Sequence, residues 1–223
     1  MAVSNNYGDV TILDYNDLSK RLTTIYKPRE WCEVLVYSPC QKYLAIGSHD
    51  DSIYVYEISE DGKYTLHFAN TQAHSSAILG LDWTRDSQHI RAVDQAYAKI
   101  YYNIESKEVV NNGAITLTDP TLWATSTCKL GWEVMGVYPA GTDGTDINGV
   151  DANENRTLVV SGDDFASINV YRFPIMNNKH KCIRLTGHAE HVPRVKFFNG
   201  ETQYIISAGG NDKTYIQWKE VKQ

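Results

Sequence analysis

Apolar and polar positions alternate with a period of two through most of this chain, and the alternating runs are cut short by clusters of Gly, Asp, Asn, Ser and His. Such runs predict strands, because successive side chains on an extended backbone point to opposite faces. ValLeuValTyrSer (34–38), TyrLeuAlaIleGlySer (43–48) and SerIleTyrValTyrGluIle (52–58) are separated by a SerProCysGlnLys turn and a HisAspAsp turn. A fourth run, TyrThrLeuHisPheAla (64–69), follows AspGlyLys. The same succession of three strands and an outer strand returns near 75–110, 147–185 and 191–219.

Five of these strands align: AspValThrIleLeuAspTyr (9–15), SerIleTyrValTyrGluIle (52–58), AlaLysIleTyrTyrAsnIle (98–104), SerIleAsnValTyrArgPhe (167–173) and LysThrTyrIleGlnTrpLys (213–219). Their matching residues are Leu13, Tyr56, Tyr102, Tyr171 and Trp218, spaced by 43, 46, 69 and 47 positions. Three spacings fit one blade of about 40–50 residues, and the fourth carries an insertion of roughly 23. The pattern predicts an all-β, partial β-propeller of about four complete four-stranded blades plus a fragment. Residues 1–27 read as a partial blade with its outer strand, and 28–223 as the repeat blades. The insertion falls at about 105–150, its most irregular part at 121–150. The first aligned strand reads as the third of its blade, so the ends do not close a ring, and the apolar faces of an open arc predict completion by a missing segment or another chain.

Composition narrows the partners. A formal net charge of −6 disfavours a non-specific grip on nucleic acid or an anionic membrane. No stretch approaches the roughly 20 apolar residues of a membrane span, and the polar start has neither the basic nor the apolar region of a signal peptide. The four cysteines, Cys32, Cys40, Cys128 and Cys182, lack paired metal-ligand spacing and are expected to be buried, reduced thiols in the cytosol.

The repeat resembles the WD40 family, whose pattern places Gly-His before the innermost strand and Trp-Asp at the end of the third. Gly187-His188 and Trp218-Lys219 match it best, with Ala73-His74 a weaker second case. The resemblance implies a structural tetrad of His188, Ser207, Asp212 and Trp218 in which buried polar groups satisfy one another. Elsewhere Tyr stands for Trp, and tetrads are expected to be degenerate or absent. Residues 28–58, the TrpAlaThr…ThrCys…LeuGly…GlyThrAspIleAsn segment within 121–150, residues 161–173 and the closing SerAlaGlyGlyAsnAspLysThrTyrIleGlnTrp are similar to the echinoderm microtubule-associated protein-like family. That resemblance covers nearly the whole chain. It implies the later part of a second propeller, tubulin or microtubule-bound proteins as partners, and a place in the cytoplasm on the cytoskeleton or ciliary axoneme. The alternative is a generic WD40 adaptor in a peptide-binding or ubiquitin-ligase complex.

No catalytic, cofactor-binding or metal residues are assigned. Asp163-Asp164 opens a turn, and neighbouring strand residues face opposite ways, so the pair does not act as a dyad. His188, Glu190 and His191 lack a further ligand nearby. The loop 141–151 is rich in Gly and Asp but lacks the EF-hand ligand pattern, and Asp146 and Asn148 are expected to cap backbone amides there. An enzyme would need convergent polar residues, which the sequence does not display. Trp123, Trp132 and Tyr138 have two readings: packing of the insertion onto its blade, or a partner surface. Lys20, Arg21, Lys27 and Arg29 form a basic cluster suited to tubulin if it is more than a solvated face.

Overall fold

The computed structural model describes residues 1–199 and 203–219. The chain divides into two compact units, Met1–Thr118 and Asp119–Gln223. In the first, β1 (Ala2–Ser4), β2 (Val10–Leu13) and β3 (Arg21–Ile25) form one antiparallel sheet in chain order. A four-stranded sheet follows, β4 (Cys32–Tyr37), β5 (Tyr43–Ser48), β6 (Ile53–Ile58) and β7 (Tyr64–Asn70). The third holds β8 (Ile78–Trp83), β9 (His89–Asp94) and β10 (Lys99–Asn103). In the second unit, β11 (Ile147–Ala152), β12 (Leu158–Asp163), β13 (Ser167–Arg172) and β14 (Ile183–Thr186) make the fourth sheet. The fifth comprises β15 (Arg194–Asn199), β16 (Gln203–Ala208) and β17 (Tyr215–Lys219).

The expected four blades and a fragment correspond to these five sheets, with two refinements. A short strand precedes the first aligned one: Ala2 pairs with Ile12 and Ser4 with Val10. Three residues are too few for alternation to announce a strand. The outer strand is full in the second and fourth sheets, whereas in the third it shrinks to a bridge between Tyr102 and Val109. There the chain turns at once into α1 (Gly113–Thr116). Residues 220–223, the end of the expected last blade, lie outside the described residues.

The repeat is visible in backbone geometry as well as sequence. Gly8, Asp51, Tyr97, Ala166 and Lys213 all have positive φ, and each stands five residues before its aligned Leu13, Tyr56, Tyr102, Tyr171 or Trp218. Four of the five are not glycine, so hairpin closure holds them in a left-handed region that L-residues otherwise avoid by about 1–2 kcal/mol. A bulge also recurs at the start of the innermost strand, between Cys32 and Val34, Ile78 and Gly80, and Ile147 and Gly149. Repeating it re-aims each strand in the same way.

Apolar faces meet between consecutive sheets of a unit. Val10, Ile12 and Ile25 pack with Leu44, Ile46 and Tyr54, and on the other side of the second sheet Ala45, Ile53 and Val55 pack with Leu81, Trp83 and Tyr102. Within the second unit, Val160 and Ile168 pack with Val195, Phe197 and Ile205. Two hydrogen bonds fasten neighbours: the Trp83 indole N–H donates to the Val36 carbonyl at 3.1 Å, and the buried Asp151 carboxylate accepts the Phe197 N–H at 2.7 Å.

Candidate functional site

The fifth sheet holds the tetrad as a continuous chain of hydrogen bonds. Trp218 Nε1 donates to Ser207 Oγ at 2.8 Å, and Ser207 Oγ lies 2.8 Å from His188 Nε2. His188 Nδ1 lies 2.9 Å from Thr214 Oγ1 and 3.2 Å from Asp212 Oδ2. A single tautomer satisfies all of it: Nδ1 carries the proton toward Asp212, and Nε2 accepts from the serine hydroxyl. Asp212 also accepts the N–H groups of Ala189 and Thr214. Burial opposes ionisation of Asp212, but these backbone donors, the Thr214 hydroxyl and His188 outweigh it and bring the carboxyl down to about 2. Thr214, missed in the sequence, closes the network through its hydroxyl.

The third sheet keeps half of this arrangement. His74 Nδ1 lies 2.9 Å from Asp94 Oδ2, with both side chains buried. Asp94 Oδ1 accepts the Ala98 N–H and so closes its turn. In hairpin register Ala92 opposes Ile100 as Ser207 opposes Ile216. The bridging hydroxyl is therefore replaced by a methyl group, and His74 Nε2 and Tyr102 Oη are buried with no protein partner.

Asp163 is likewise structural: it accepts the N–H groups of Phe165 and Ser167 and the Asn169 amide, while the exposed Asp164 takes the Asn148 amide at 2.7 Å. Asp146 caps the Asp143 N–H as expected, whereas Asn148 binds a side chain instead of a backbone amide. His191 pairs with Glu190 at 3.0 Å on the surface. Among the described residues, no three His, Cys, Asp or Glu side chains are grouped to hold a metal. No described helix is long and apolar enough to cross a membrane.

The cysteines correct an expectation. Cys32 and Cys128 are buried, but Cys40 and Cys182 are exposed, because both stand in turns and loops and not on core-facing strand positions. Burial pushes the Cys32 thiol up to about 12. At Cys40 burial also raises the value, yet the hydroxyls of Ser38 and Ser87 and nearby backbone N–H groups prevail and leave it below the ordinary thiol range.

Two of the insertion's three aromatic residues pack against it, and the third stays open to solvent. Trp123 is fully buried, and Tyr138 packs beside Val134, Val137 and Ile175 while its hydroxyl donates to the Lys129 carbonyl at 2.9 Å. Trp132 is 41% exposed. Arg156, which no sequence pattern marks, ties the insertion to its blade: Nη2 donates to the Trp123 carbonyl at 2.6 Å and Nη1 to those of Ala152 and Asn153. Lys20, Arg21, Lys27 and Arg29 are all exposed, and Lys20 pairs with Asp14 at 3.2 Å.

Repeated antiparallel sheets with matching hairpins and a His–Ser–Trp chain define a WD40-type β-propeller. The family model described as the echinoderm microtubule-associated protein second beta-propeller matches residues 1–220, and the chain belongs to that family. It is 41% identical over 221 residues to the ciliary WD repeat-containing protein ctxp80 of Euplotoides octocarinatus, covering 99% of this chain and 30% of that protein. It is 35% identical to the 77 kDa echinoderm microtubule-associated protein of Strongylocentrotus purpuratus, covering 99% and 32%. Human echinoderm microtubule-associated protein-like 3 is 34% identical, with 98% and 24% covered. The chain thus spans less than a third of the length of these relatives. A solved structure described as a mitotic checkpoint complex shares the fold alone, with a TM-score of 0.56 at 11% identity over 99% of this chain and 59% of the other.

Proposed function

We infer that the protein is a non-enzymatic, microtubule-associated scaffold that contacts tubulin or cytoskeletal partners through propeller faces and loops. The observation that carries this is the family match along 1–220, joined to relatives whose names place them with microtubules and cilia. The polar clusters support a structural role, since His188, Asp212, His74, Asp94 and Asp163 are all engaged in holding turns and strands. The cytoplasmic cytoskeleton is its setting, and the ciliary relative favours the axoneme. The exposed Arg21, Lys27 and Arg29 are offered to an acidic tubulin surface, beside Lys20, which pairs with Asp14.

The scaffold also requires a further blade against the fifth sheet. Phe198, Ile206 and Tyr215 lie exposed on the face opposite the core residues Phe197 and Ile205, where a propeller packs its next sheet. Co-sedimentation with taxol-stabilised microtubules tests the reading, alone and with the neighbouring propeller segment supplied in cis or as a separate chain. Recovery in the pellet is expected; retention in the supernatant in every form, or affinity capture dominated by ubiquitin-ligase subunits without tubulin, overturns it.

A further inference from the structure

The insertion and the loop between β13 and β14 are joined by a short backbone seam. The Gly136 N–H donates to the Ile175 carbonyl at 2.8 Å, and the Ile175 N–H donates to the Glu133 carbonyl at 2.9 Å. A side chain at position 136 would place its Cβ 2.2 Å from the Asn177 carbonyl oxygen, so only glycine admits this approach. The buried Val134, Val137 and Ile175 lie beneath. Flanking the seam on the outside are Trp132 at 41%, Met135 at 60% and Met176 at 56% exposure. Three large apolar side chains thus stand open to solvent on segments that the seam holds together.

The segment that carries Met176 is basic along its sequence. Residues 172–187 contain Arg172, Lys179, Lys181 and Arg184 with no Asp or Glu, in a chain whose net charge is −6. Arg172, Lys179, His180 and Lys181 are exposed, and the loop is shaped by the Asn177 side chain accepting the Lys179 N–H at 3.0 Å. Tryptophan and methionine offer adaptable apolar contact, and adjacent lysines supply donors to carboxylates.

We propose that this surface of the second unit docks an acidic peptide segment carrying an apolar or aromatic anchor, the anchor seated on Trp132, Met135 and Met176 and the carboxylates on Lys179 and Lys181. The proposal rests on the microtubule reading for the source of that segment, since tubulin surfaces are acidic. Lysine pairing makes the complex sensitive to salt, and the anchor separates it from simple charge attraction.

Fluorescence anisotropy on the full chain tests it, with a labelled polyglutamate peptide bearing a central phenylalanine. An all-glutamate peptide, a polylysine peptide and phosphatidylserine vesicles serve as comparators. The anchored acidic peptide is expected to bind best, and K179E/K181E to weaken it about tenfold. W132A is expected to weaken the anchored peptide several-fold while leaving the all-glutamate peptide nearly unchanged. Equal binding by K179E/K181E, no binding by the unsubstituted chain, or a preference for vesicles overturns the proposal. If K179E/K181E co-sediments with microtubules as well as the unsubstituted chain while losing the peptide, this surface is not the microtubule contact and the partner assignment falls. Failure of the unsubstituted chain to co-sediment defeats the microtubule reading instead.

Discussion

The Ser207 hydroxyl lies 2.8 Å from Nε2 of His188, while its oxygen receives the Trp218 indole N–H at the same distance. One small side chain therefore satisfies two ring nitrogens, that of His188 buried and that of Trp218 partly buried. Replacing it with alanine orphans both, and S207A is expected to cost about 2 kcal/mol. The third sheet supplies the converse. Ala92 occupies the matching register position beside His74 Nε2 and Tyr102 Oη, which have no protein partner, so A92S is expected to add about 1 kcal/mol. Urea denaturation of both variants checks the pair; a neutral S207A or a destabilised A92S contradicts it.

Acid should loosen the fifth sheet within a defined window. Asp212 is held down to about 2 from an ordinary 3.8. A carboxyl whose folded pKa is depressed contributes stability above the unfolded value and loses it as pH falls through the folded one. Hydrogen exchange of the Ala189 and Thr214 amides should accordingly be steady at neutral pH and rise between about 4 and 2. D212N should show raised exchange already at neutral pH and lose that acid step.

The contrast between these two blades explains what was legible in the sequence. His188, Ser207, Asp212 and Trp218 could be read because the WD40 pattern that the sequence resembles assigns its tetrad to those positions. Asp94 could not, because its turn differs: it stands three residues before the left-handed Tyr97, whereas Asp212 stands one before Lys213. Arg156 left no trace, since an arginine reaching carbonyls far along the chain has no spacing rule. The exposure of Cys40 could have been anticipated from its SerProCysGlnLys turn, where a small apolar residue is no guide to burial. Trp123 and Trp132 differ in fate because only backbone bonding decides which face of an irregular segment turns inward.

Arg156 should act as the clasp of the insertion. Its three donations to the carbonyls of Trp123, Ala152 and Asn153 span both parts, and charged donors make such bonds worth more than neutral ones. R156A is expected to cost about 3 kcal/mol and to raise hydrogen exchange around 121–137 before the strands of the fourth sheet. Lysine lacks the planar fork, so R156K should recover less than half. Unchanged exchange in R156A removes the clasp role.

The thiols should divide by environment in alkylation with iodoacetamide near neutral pH. The thiolate is the reacting species, so exposure and a lowered pKa act together. Cys40 is exposed, with its Sγ 3.3 Å from Ser38 Oγ and its N–H donating to Ser87 Oγ at 3.1 Å. Those hydroxyls favour the anion, and Cys40 should be modified first. Cys32, buried and pushed up to about 12, should resist until the chain unfolds, as should the buried Cys128. S38A should slow Cys40 without altering Cys32, because it removes a donor to one sulfur alone. Peptide mass mapping over time follows all four sites in one sample. Modification of Cys32 ahead of Cys40 under native conditions would mean that the second sheet opens far more readily than its buried core of Ala45, Ile53 and Val55 implies.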